Sequence, residues 1–425
     1  MSRLPLSDAE FRALAARTTD VAARYLASLN DIPTFPPTTG VKTAELFGAP
    51  ITEQGMGAAA FDLLQAISEN GRPNSPRFFG YVFGSGEPVG VLGDYFASVV
   101  NQNVTAWRSG PAAVTIERAV VRTLADALGC AGFSGSLCGG GSSANLMGLA
   151  MAREAKLPAN ERGAQPGIVY ASSEVHMSIP KALGLLGLGQ ANLRLLEVDG
   201  QFRMSVSALQ QAVQADERAG RKAIAVVASA GTVNTGAIDP LAEIAAVARK
   251  HGLWFHVDGA YGALAAMAAR EKFKGLGEAD SLSLDAHKWL YQPVDCGCLL
   301  YPDAAAAQRA FSHTGDYAKS LTLDPVEGFS FFEESMELSR RFRALKLWLS
   351  LRYHGLAAFR QSIAEDLRLA HRLAESIRKS AQLELLAPVE LSAVCFRVKD
   401  ADDRRNAAIL KRVVERGRVY LSNAT

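Results

Sequence analysis

The sequence contains few cysteines, and their spacing gives no sign of a disulfide framework or a zinc site. Its 425 residues include five cysteines, an odd number, and no two of them form a CxxC pair. A small secreted fold held together by disulfides is therefore not indicated, and we expect no metal. The cysteine pattern fits a reducing compartment, so we expect the protein to be cytoplasmic.

The sequence also lacks an excess of either charge and any long apolar run. Lysine and arginine number 45 against 43 aspartates and glutamates, for a net charge of +2. This balance offers no electrostatic attraction for nucleic acid or an anionic membrane, so we expect a small-molecule partner. No stretch of about 18 apolar residues is free of charge, and "MSRLPLSDAEFRALA" does not resemble a signal peptide.

The apolar content of 48% allows a large core, and the length favours two or three domains. Residues 7 to 29 predict an amphipathic helix within an N-terminal arm, residues 1–75, that is too small to fold alone and needs its own chain or a second subunit to pack on. We expect a large α/β domain at 76–315, a mobile loop at 316–339 and a small α+β domain at 340–425. The chain stops in or after the strand-like "GRVYLSNAT", so we expect that further sequence is missing.

Helix-like and strand-like segments alternate from about residue 85 to 310. Short apolar runs such as "GIVYAS", "AIAVVASA" and "WFHVDGA" lie between amphipathic helices. This order predicts a mostly parallel sheet that is covered by helices on both faces. Ligands of such sheets bind beyond the carboxyl ends of the strands, so we expect the reactive residues at those positions.

A glycine-rich stretch, "SLCGGGSSANLMGLAMAREA", connects a strand to a helix. Its three glycines, 139–141, precede Ser142, Ser143 and a helical pattern. Glycines allow a ligand to approach the backbone, and a helix N-terminus favours an anion, so this stretch can bind a phosphate. An ordinary strand-to-helix connection with a serine cap would look similar.

Two further polar residues follow predicted strands. His176 comes after "GIVYAS", where a histidine is more often structural than catalytic. Asp258 ends the strand in "WFHVDGAYGAL", and a buried carboxylate there must be paired, so we expect a cationic partner. An ordinary salt bridge would explain Asp258 equally well.

The stretch "SLSLDAHKWLYQPVDCGCLL" places His287 and Lys288 at the end of an apolar strand. Desolvation favours the neutral form of a lysine amine, which is the form that makes a Schiff base. The alternative is a lysine whose amine reaches the surface, but that leaves His287 unexplained. Together, an anion site, a flat histidine ring, a carboxylate and an amine match the four chemical features of pyridoxal 5'-phosphate (PLP).

These residues and their order resemble the PLP-dependent group II amino acid decarboxylases, which are related to aromatic L-amino acid decarboxylase. The resemblance covers nearly the whole chain and rests on seven segments in order: "SPRFFGYVFG", "GGGSSANLMGLAMAR", "SSEVHMSIPKALGLLGLG", "AGTVNTGAIDPL", "FHVDGAYGA", "SLDAHKWLYQPVDCG" and "RRFRALKLWLSLRYHG". It implies the α/β architecture of fold type I, the aspartate aminotransferase fold, with a seven-stranded sheet. It also implies a homodimer with interlocked N-terminal arms and active sites at the interface.

The resemblance implies an L-amino acid decarboxylase with a role for each matching residue. Those roles are Lys288 for the Schiff base, Asp258 for the pyridinium nitrogen, His176 for stacking on the ring, Gly140, Gly141 and Ser142 for the phosphate, and His287 for the pocket wall beside the lysine. A non-catalytic scaffold of the same fold is the alternative from a different class, and the intact Lys288, Asp258 and His176 argue against it.

The sequence departs from the family pattern in its predicted loop. Animal enzymes of the family have a tyrosine on a mobile loop that is thought to protonate the carbanion, and an ungapped alignment places Phe331 there. Loss of this tyrosine in related plant and insect enzymes accompanies oxidative deamination to an aldehyde, so an aldehyde product is an alternative. Tyr317 is a possible substitute, and a different alignment of the loop is another.

Two departures concern the cofactor site. Val233 stands where the family commonly has threonine, and Thr232 or Thr235 could compensate. Asp285 stands where animal enzymes have an asparagine near the phosphate, and an acid there would repel the phosphate.

The substrate is weakly specified. An aromatic segment, Phe78, Phe79, Tyr81 and Phe83, resembles the family's substrate wall, although ordinary core packing explains it equally well. No arginine can be assigned to a second substrate carboxylate, which neither supports nor excludes an acidic substrate.

Overall fold

The structure is a computed structural model that describes residues 6–313 and 324–424. The chain divides into two compact units, residues 1–81 with 400–425, and residues 82–399. The four-part division expected from the sequence stays a prediction. Tyr317 and part of the predicted loop 316–339 lie outside the described residues.

The first unit is helical. Its helices in the described chain are α1 (Asp8–Ser28), α2 (Gly40–Phe47), α3 (Leu63–Asn70) and α14 (Asp403–Glu415). The helix predicted for residues 7 to 29 is confirmed as α1, whose N-terminus is closed by a reciprocal capping box between Ser7 and Glu10. None of the residues of α1 is buried. The strand expected in "GRVYLSNAT" is wrong: the residues of this segment that the structure describes, 417–424, form only a single bridge, between Tyr420 and Phe78.

The second unit contains a seven-stranded sheet, which confirms the predicted fold class. The strands are β1 (Ser134–Cys138), β2 (Ile168–Ser172), β3 (Leu193–Leu196), β4 (Ala223–Ser229), β5 (Trp254–Asp258), β6 (Ser281–Asp285) and β7 (Gly297–Tyr301). Their order across the sheet is β1-β7-β6-β5-β4-β2-β3. Only β7 runs antiparallel to its neighbours among these strands.

Helices cover both faces of this sheet. The helices described in the second unit are α4 (Pro88–Val100), α5 (Pro111–Leu128), α6 (Gly141–Lys156), α7 (Ala159–Arg162), α8 (Ser178–Leu185), α9 (Val206–Arg218), α10 (Leu241–His251), α11 (Ala286–Trp289), α12 (Ala304–Phe311) and α13 (Ala344–Arg378). Alternate residues of β4 enter two different cores. Val226 and Ala228 pack with side chains of α5, α10 and α13, and Ala225 and Val227 pack with side chains of α6, α8 and α12.

The long helix α13 follows its predicted pattern, including the break. Gly355 has φ 76° and ψ 156°, which a residue with a Cβ atom rarely adopts, so the helix kinks at this glycine. After α13, β8 (Leu383–Leu385) and β9 (Phe396–Val398) pair antiparallel. No helix in the part of the chain that the structure describes is long and apolar enough to span a membrane.

Candidate active site

A cavity of about 260 Å³ lies at the carboxyl ends of the central strands, where parallel sheets bind their ligands. It brings together all seven site residues predicted from the sequence, namely Gly140, Gly141, Ser142, His176, Asp258, His287 and Lys288. These residues follow β1, β2, β5 and β6, so the cavity depends on the order of strands in the sheet.

The glycine turn between β1 and α6 forms one wall. Gly140 has φ 129°, a value that favours glycine. A Cβ atom on Gly141 would lie 2.5 Å from Cβ of Ala260 and 3.0 Å from Oδ2 of Asp285. Since α6 begins at Gly141, the N–H groups of its first turn belong to this wall. The turn therefore provides both space and positive potential for an anion.

Asp258 ends β5 and is 7% exposed. Its Oδ2 accepts a hydrogen bond from Nδ2 of Asn145 at 2.9 Å, and its Oδ1 accepts from Oγ of Ser283 and from the Ala260 N–H, both at 3.2 Å. The sequence predicted a cationic partner for Asp258. In the described chain the hydrogen bonds to this carboxylate come from neutral donors instead, and they fix its plane.

Lys288 lies on α11, one turn beyond the end of β6. Its Nζ is 2.9 Å from Oδ2 of Asp285, and its side chain is 16% exposed. The sequence predicted an apolar environment for this lysine, with a surface position as the alternative, and did not predict its carboxylate partner. A pair of opposite charges satisfies the electrostatic demand of both buried groups.

Asp285 is 3% exposed, and its Oδ1 has no hydrogen-bond partner in the described chain. Burial raises the pKa of Asp285, and the nearby Lys288 and His287 oppose that rise. Oδ1 lies 3.7 Å from the position that a Cβ atom on Gly140 would take, so it is directed toward the glycine turn. The carboxyl group that the sequence placed near the phosphate site therefore reaches the wall of that site.

His287 lines the cavity beside Asp285. Its Nδ1 accepts a hydrogen bond from the Cys296 N–H at 3.2 Å, and its Nε2 lies 3.6 Å from Oδ2 of Asp285. Burial lowers the pKa of His287, and the charge of Asp285 opposes the shift. The neutral ring thus has its hydrogen on Nε2, toward Asp285.

His176 follows β2, and its ring is anchored on one side. Its Nδ1 accepts a hydrogen bond from the Ser178 N–H at 3.2 Å and lies 2.9 Å from Oγ of the same serine. The ring lines the cavity, so its orientation is set by the first residue of α8.

Four polar residues of the cavity wall were not predicted from the sequence: Asn145, Glu174, Ser229 and Tyr261. Asn145 could have been found, because it shares one face of α6 with Leu149 and Ala152, and a polar side chain on an apolar helix face requires partners. Glu174 and Tyr261 follow strands β2 and β5, and nothing in their local pattern separates them from ordinary loop residues.

Val233, which departs from the family pattern, and the neighbouring Thr232 and Thr235 have different surroundings. Val233 is 44% exposed and lines the cavity. The hydroxyls of Thr232 and Thr235 lie 2.9 Å apart, and both accept hydrogen bonds from the Ala237 N–H, so these threonines stabilise their own turn.

Phe331 is a core residue. It is fully buried, its ring contacts Phe329 edge to face at 4.8 Å between centroids, and the guanidinium of Arg340 lies 4.2 Å from its centroid. It is not among the described residues that line the cavity. The ring of Phe331 therefore does not face the cavity in the described chain, and its correspondence to the loop tyrosine stays a prediction.

The predicted aromatic substrate wall is only partly present in the second unit. Phe83 lines the cavity and its ring centroid is 6.5 Å from that of His287. Phe78 and Tyr81 belong to the first unit, where they pack on the ring of Tyr420.

Comparison with known proteins identifies the family. Residues 64–399 match the model of the pyridoxal-dependent decarboxylase conserved domain. The chain belongs to this family of decarboxylases. The chain is 37% identical over 357 residues to the aromatic-L-amino-acid decarboxylase of Bacillus atrophaeus, an alignment that covers 82% of this chain and 74% of that protein.

Two solved structures extend the comparison to the fold. A crystal structure of Oryza sativa TDC with PLP and tryptamine has a TM-score of 0.92 at 26% identity, covering 100% of this chain and 92% of the other. Rhodiola rosea 4-hydroxyphenylacetaldehyde synthase has a TM-score of 0.86 at 27% identity, covering 98% and 91%. This decarboxylase is thus a PLP-dependent carboxy-lyase of fold type I that acts on an amino acid.

The residues of the cavity fit PLP. A Cβ atom at position 141 would fill the space beside the backbone. Because Gly141 has none, a phosphate can approach the backbone closely there. The amine of Lys288, the fixed carboxylate of Asp258 and the flat ring of His176 line the same cavity, which holds about 260 Å³. The donor set therefore matches the aldehyde, the ring nitrogen and the ring face of this cofactor.

Proposed function

We propose that this decarboxylase converts an aromatic L-amino acid to its amine, with Lys288 as the residue that bonds the cofactor's aldehyde. The observation that carries the proposal is the convergence of Lys288, Asp258, His176 and the glycine turn on one cavity. These residues are distant in sequence, and ordinary packing does not require them to meet.

Each residue has a defined task in this proposal. Bound PLP supplies an electron-withdrawing ring that accepts the electron pair left by carbon dioxide. Asp258, fixed by Asn145 and Ser283, holds a proton on the ring nitrogen, which strengthens that withdrawal. The first turn of α6, at Gly141 and Ser142, binds the phosphate with N–H groups.

His176 and His287 shape the space around the reacting carbon. The ring of His176 is held by Ser178, so it presents a flat face and Nε2 to the cavity. His287 remains in contact with Asp285 and Phe83 and closes the cavity on the side of Lys288. Both rings displace water, which would otherwise compete for protons at the reacting centre.

The cavity wall supports an aromatic or apolar substrate side chain. Apolar and aromatic groups come from Val82, Phe83, Val233, Tyr261 and Val294. Its described acidic groups are Glu174, Asp258 and Asp285, and no arginine is among the described lining residues. A second carboxylate on the substrate would meet like charge, so kcat/KM for tyrosine or tryptophan is expected to exceed that for glutamate by at least about a hundredfold.

The decisive experiment traps the cofactor on the protein. The purified protein is expected to absorb visible light, to lose this band on treatment with borohydride, and to yield a reduced adduct on the peptide that contains Lys288. Lys288→Ala should abolish the adduct, whereas Lys181→Ala, an exposed lysine on α8, should retain it. A colourless protein, or an adduct on another lysine, would refute the assignment.

A second product class is favoured by one finding, the likeness to an aldehyde synthase. Oxidative deamination after decarboxylation releases an aldehyde and ammonia, and it reduces oxygen to hydrogen peroxide. Carbon dioxide, amine, ammonia and peroxide are measured together for each amino acid. Peroxide and ammonia in proportion to carbon dioxide would replace the amine proposal with this one.

We also propose that the protein is a homodimer in a reducing compartment such as the cytoplasm. One face of α4 exposes Leu92, Tyr95, Phe96 and Val99, each between 49% and 64%, and a second copy would remove this apolar surface from water. The five cysteines, all described, are free thiols, as a reducing compartment favours. Sedimentation should show a dimer that Phe96→Glu dissociates and that Gln211→Glu, at an exposed position of α9, leaves intact.

A further inference from the structure

A chain of buried hydrogen bonds passes behind the cavity from β6 to α8. It contains the side chains of Trp254, Ser281, His256, Asn145, Ser178, Asp258 and His176. Trp254, Ser281 and His256 have no task in the proposed function, and Asn145 and Ser178 enter it only as hydrogen-bond partners of Asp258 and His176. The directions of the bonds follow from the donor and acceptor chemistry of each group.

The amide of Asn145 is oriented by Asp258. Nδ2 of Asn145 lies 2.9 Å from Oδ2 of Asp258 and 2.9 Å from Oγ of Ser178. A carboxylate only accepts hydrogen bonds, so the NH₂ group faces Asp258 and the amide oxygen faces the other way. Asn145 is 1% exposed, so no water competes for these bonds.

The amide oxygen of Asn145 then fixes the ring of His256. Nε2 of His256 lies 2.9 Å from Oδ1 of Asn145 and must donate, because that oxygen is an acceptor. Burial lowers the pKa of His256 to about 4, so the ring is neutral and its Nδ1 is bare. Nδ1 accepts from Oγ of Ser281 at 2.8 Å, and that oxygen accepts from Nε1 of Trp254.

Close packing of α6 on β5 holds this arrangement. A Cβ atom on Gly148 would lie 2.6 Å from Cε1 of His256, so only glycine lets the helix approach the ring this closely. Asn145 lies one turn before Gly148 and reaches the ring because of that approach.

The second hydrogen of the Asn145 NH₂ group affects His176 through the hydroxyl of Ser178. Oγ of Ser178 accepts from Asn145, so the hydroxyl hydrogen of Ser178 is free to point at Nδ1 of His176. The Ser178 N–H donates to the same nitrogen. Nδ1 of His176 is therefore an acceptor, and the hydrogen of the neutral ring is on Nε2, the nitrogen that is left for the cavity.

We propose that Asn145 is a positioning residue that uses one amide group to fix both the carboxylate of Asp258 and, through Ser178, the tautomer of His176. This inference rests on the proposed function, because it assigns Asp258 and His176 to the cofactor. Asn145 touches neither substrate nor reacting atoms in this proposal. It holds Asp258, the partner of the cofactor's ring nitrogen, and the ring of His176 in fixed positions relative to each other.

The first test needs no substitution in the network. Protein labelled with ¹⁵N in histidine, without cofactor at pH 7.5, should show His176 and His256 as neutral rings with a bare Nδ1 and a protonated Nε2. Spectra of His176→Gln and His256→Gln assign the signals. Protonation of Nδ1 in either ring would overturn the network, whatever the fate of the Lys288 adduct.

The second test separates the two effects of Asn145, on the carboxylate of Asp258 and on the tautomer of His176. It uses the holoenzyme loaded with cofactor that is ¹⁵N-labelled in its ring. Asn145→Leu should move the ring-nitrogen signal toward the unprotonated form and weaken cofactor binding about tenfold, the effect of one lost charge-assisted hydrogen bond. Ser178→Ala should leave the ring-nitrogen signal unchanged and alter only the signals of His176. Met147→Leu, a buried change on the same helix outside the network, is the control.

The outcomes decide the inference. An Asn145→Leu protein with the wild-type ring-nitrogen signal and affinity would overturn it. If that variant does not fold, the tautomers of the unmodified protein decide instead. A failure of the proposed function is recognised separately, by the absence of a borohydride adduct on Lys288.

Discussion

Oδ2 of Asp285 lies 2.9 Å from Nζ of Lys288, across one turn of chain, and Oδ1 of the same carboxyl group has no partner in the described chain. The carboxylate thus balances the lysine charge while it also borders the glycine turn. A phosphate bound at that turn would place a second anion beside Asp285. Protonation of Asp285 would relieve this conflict.

The first prediction follows from that relationship. The raised pKa of Asp285, caused mainly by burial, means that the neutral acid persists to higher pH than in an ordinary aspartate. As pH rises through that pKa, the ionised group repels the phosphate and cofactor affinity falls. Asp285→Asn removes the charge, so it should bind PLP about tenfold more tightly than wild type at pH 8, and this difference should be smaller at pH 5.

This prediction is measured by titrating PLP into the cofactor-free proteins and following absorbance at both pH values. Lys288, His287, Asp258, Cys138 and Cys296 surround Asp285 and are the same in both proteins. Asp303→Asn, at the exposed N-cap of α12, is the matched control. Equal or weaker binding by Asp285→Asn at pH 8 would contradict the prediction.

The buried ring of His256 makes the free energy of unfolding depend on pH. Its pKa is lowered to about 4 by burial, below the ordinary value of 6.5. A lowered histidine pKa gives stability that is present above pH 6.5 and is lost as pH falls toward 4, since the unfolded chain binds the proton first. The loss reaches about 3 kcal/mol at pH 4.

Urea unfolding at pH 7.5, 5.5 and 4.5 measures this effect. The difference in stability between wild type and His256→Asn should shrink as pH falls, because the variant lacks the titrating group. His371→Asn, at an exposed site on α13, should show a constant difference near zero. A His256→Asn difference that does not change with pH would show that this ring does not titrate as proposed.

Phe331 belongs to the core, so Phe331→Tyr should not redirect the reaction. The added hydroxyl would be buried beside Phe329 and Arg340, and we expect a loss of about 1–3 kcal/mol in stability. The ratio of amine to aldehyde should equal that of wild type. Phe79→Tyr adds the same hydroxyl to a ring that is 65% exposed and should leave stability unchanged. A change in the ratio of amine to aldehyde in Phe331→Tyr would show that this residue acts at the reacting centre.

Arg340 and Glu117 form an ion pair in which both side chains are 0% exposed. Arg340 also donates to the carbonyls of Val104 and Leu137 at 2.9 and 2.8 Å. Arg340→Met leaves the buried carboxylate of Glu117 without a cation and should cost about 3–5 kcal/mol in urea unfolding. Glu117→Gln should cost less, because Arg340 keeps its two carbonyl acceptors and the more distant carboxylate of Glu337 at 3.9 Å. The double variant should cost less than the sum of the two. Strict additivity would mean that the two charges do not interact.

The sequence alone determined the features that short segments encode. The apolar runs that end at Asp258 and Asp285, the glycine turn after β1 and the break at Gly355 are local patterns of burial and backbone freedom. Because carboxyl ends of parallel strands meet at one edge, the sequence also placed His176, Asp258 and Lys288 in one cavity without any contact being known.

Only the tertiary structure decided which side chains satisfy one another. Asn145 and Asp258 are 113 positions apart, and Arg340 lies 223 positions from Glu117. Such pairs leave no periodic signal, since they depend on how closely a helix approaches a strand. For the same reason the burial of Phe331 and the single bridge at Tyr420 could not be read from local patterns: both depend on neighbours that are distant in the chain.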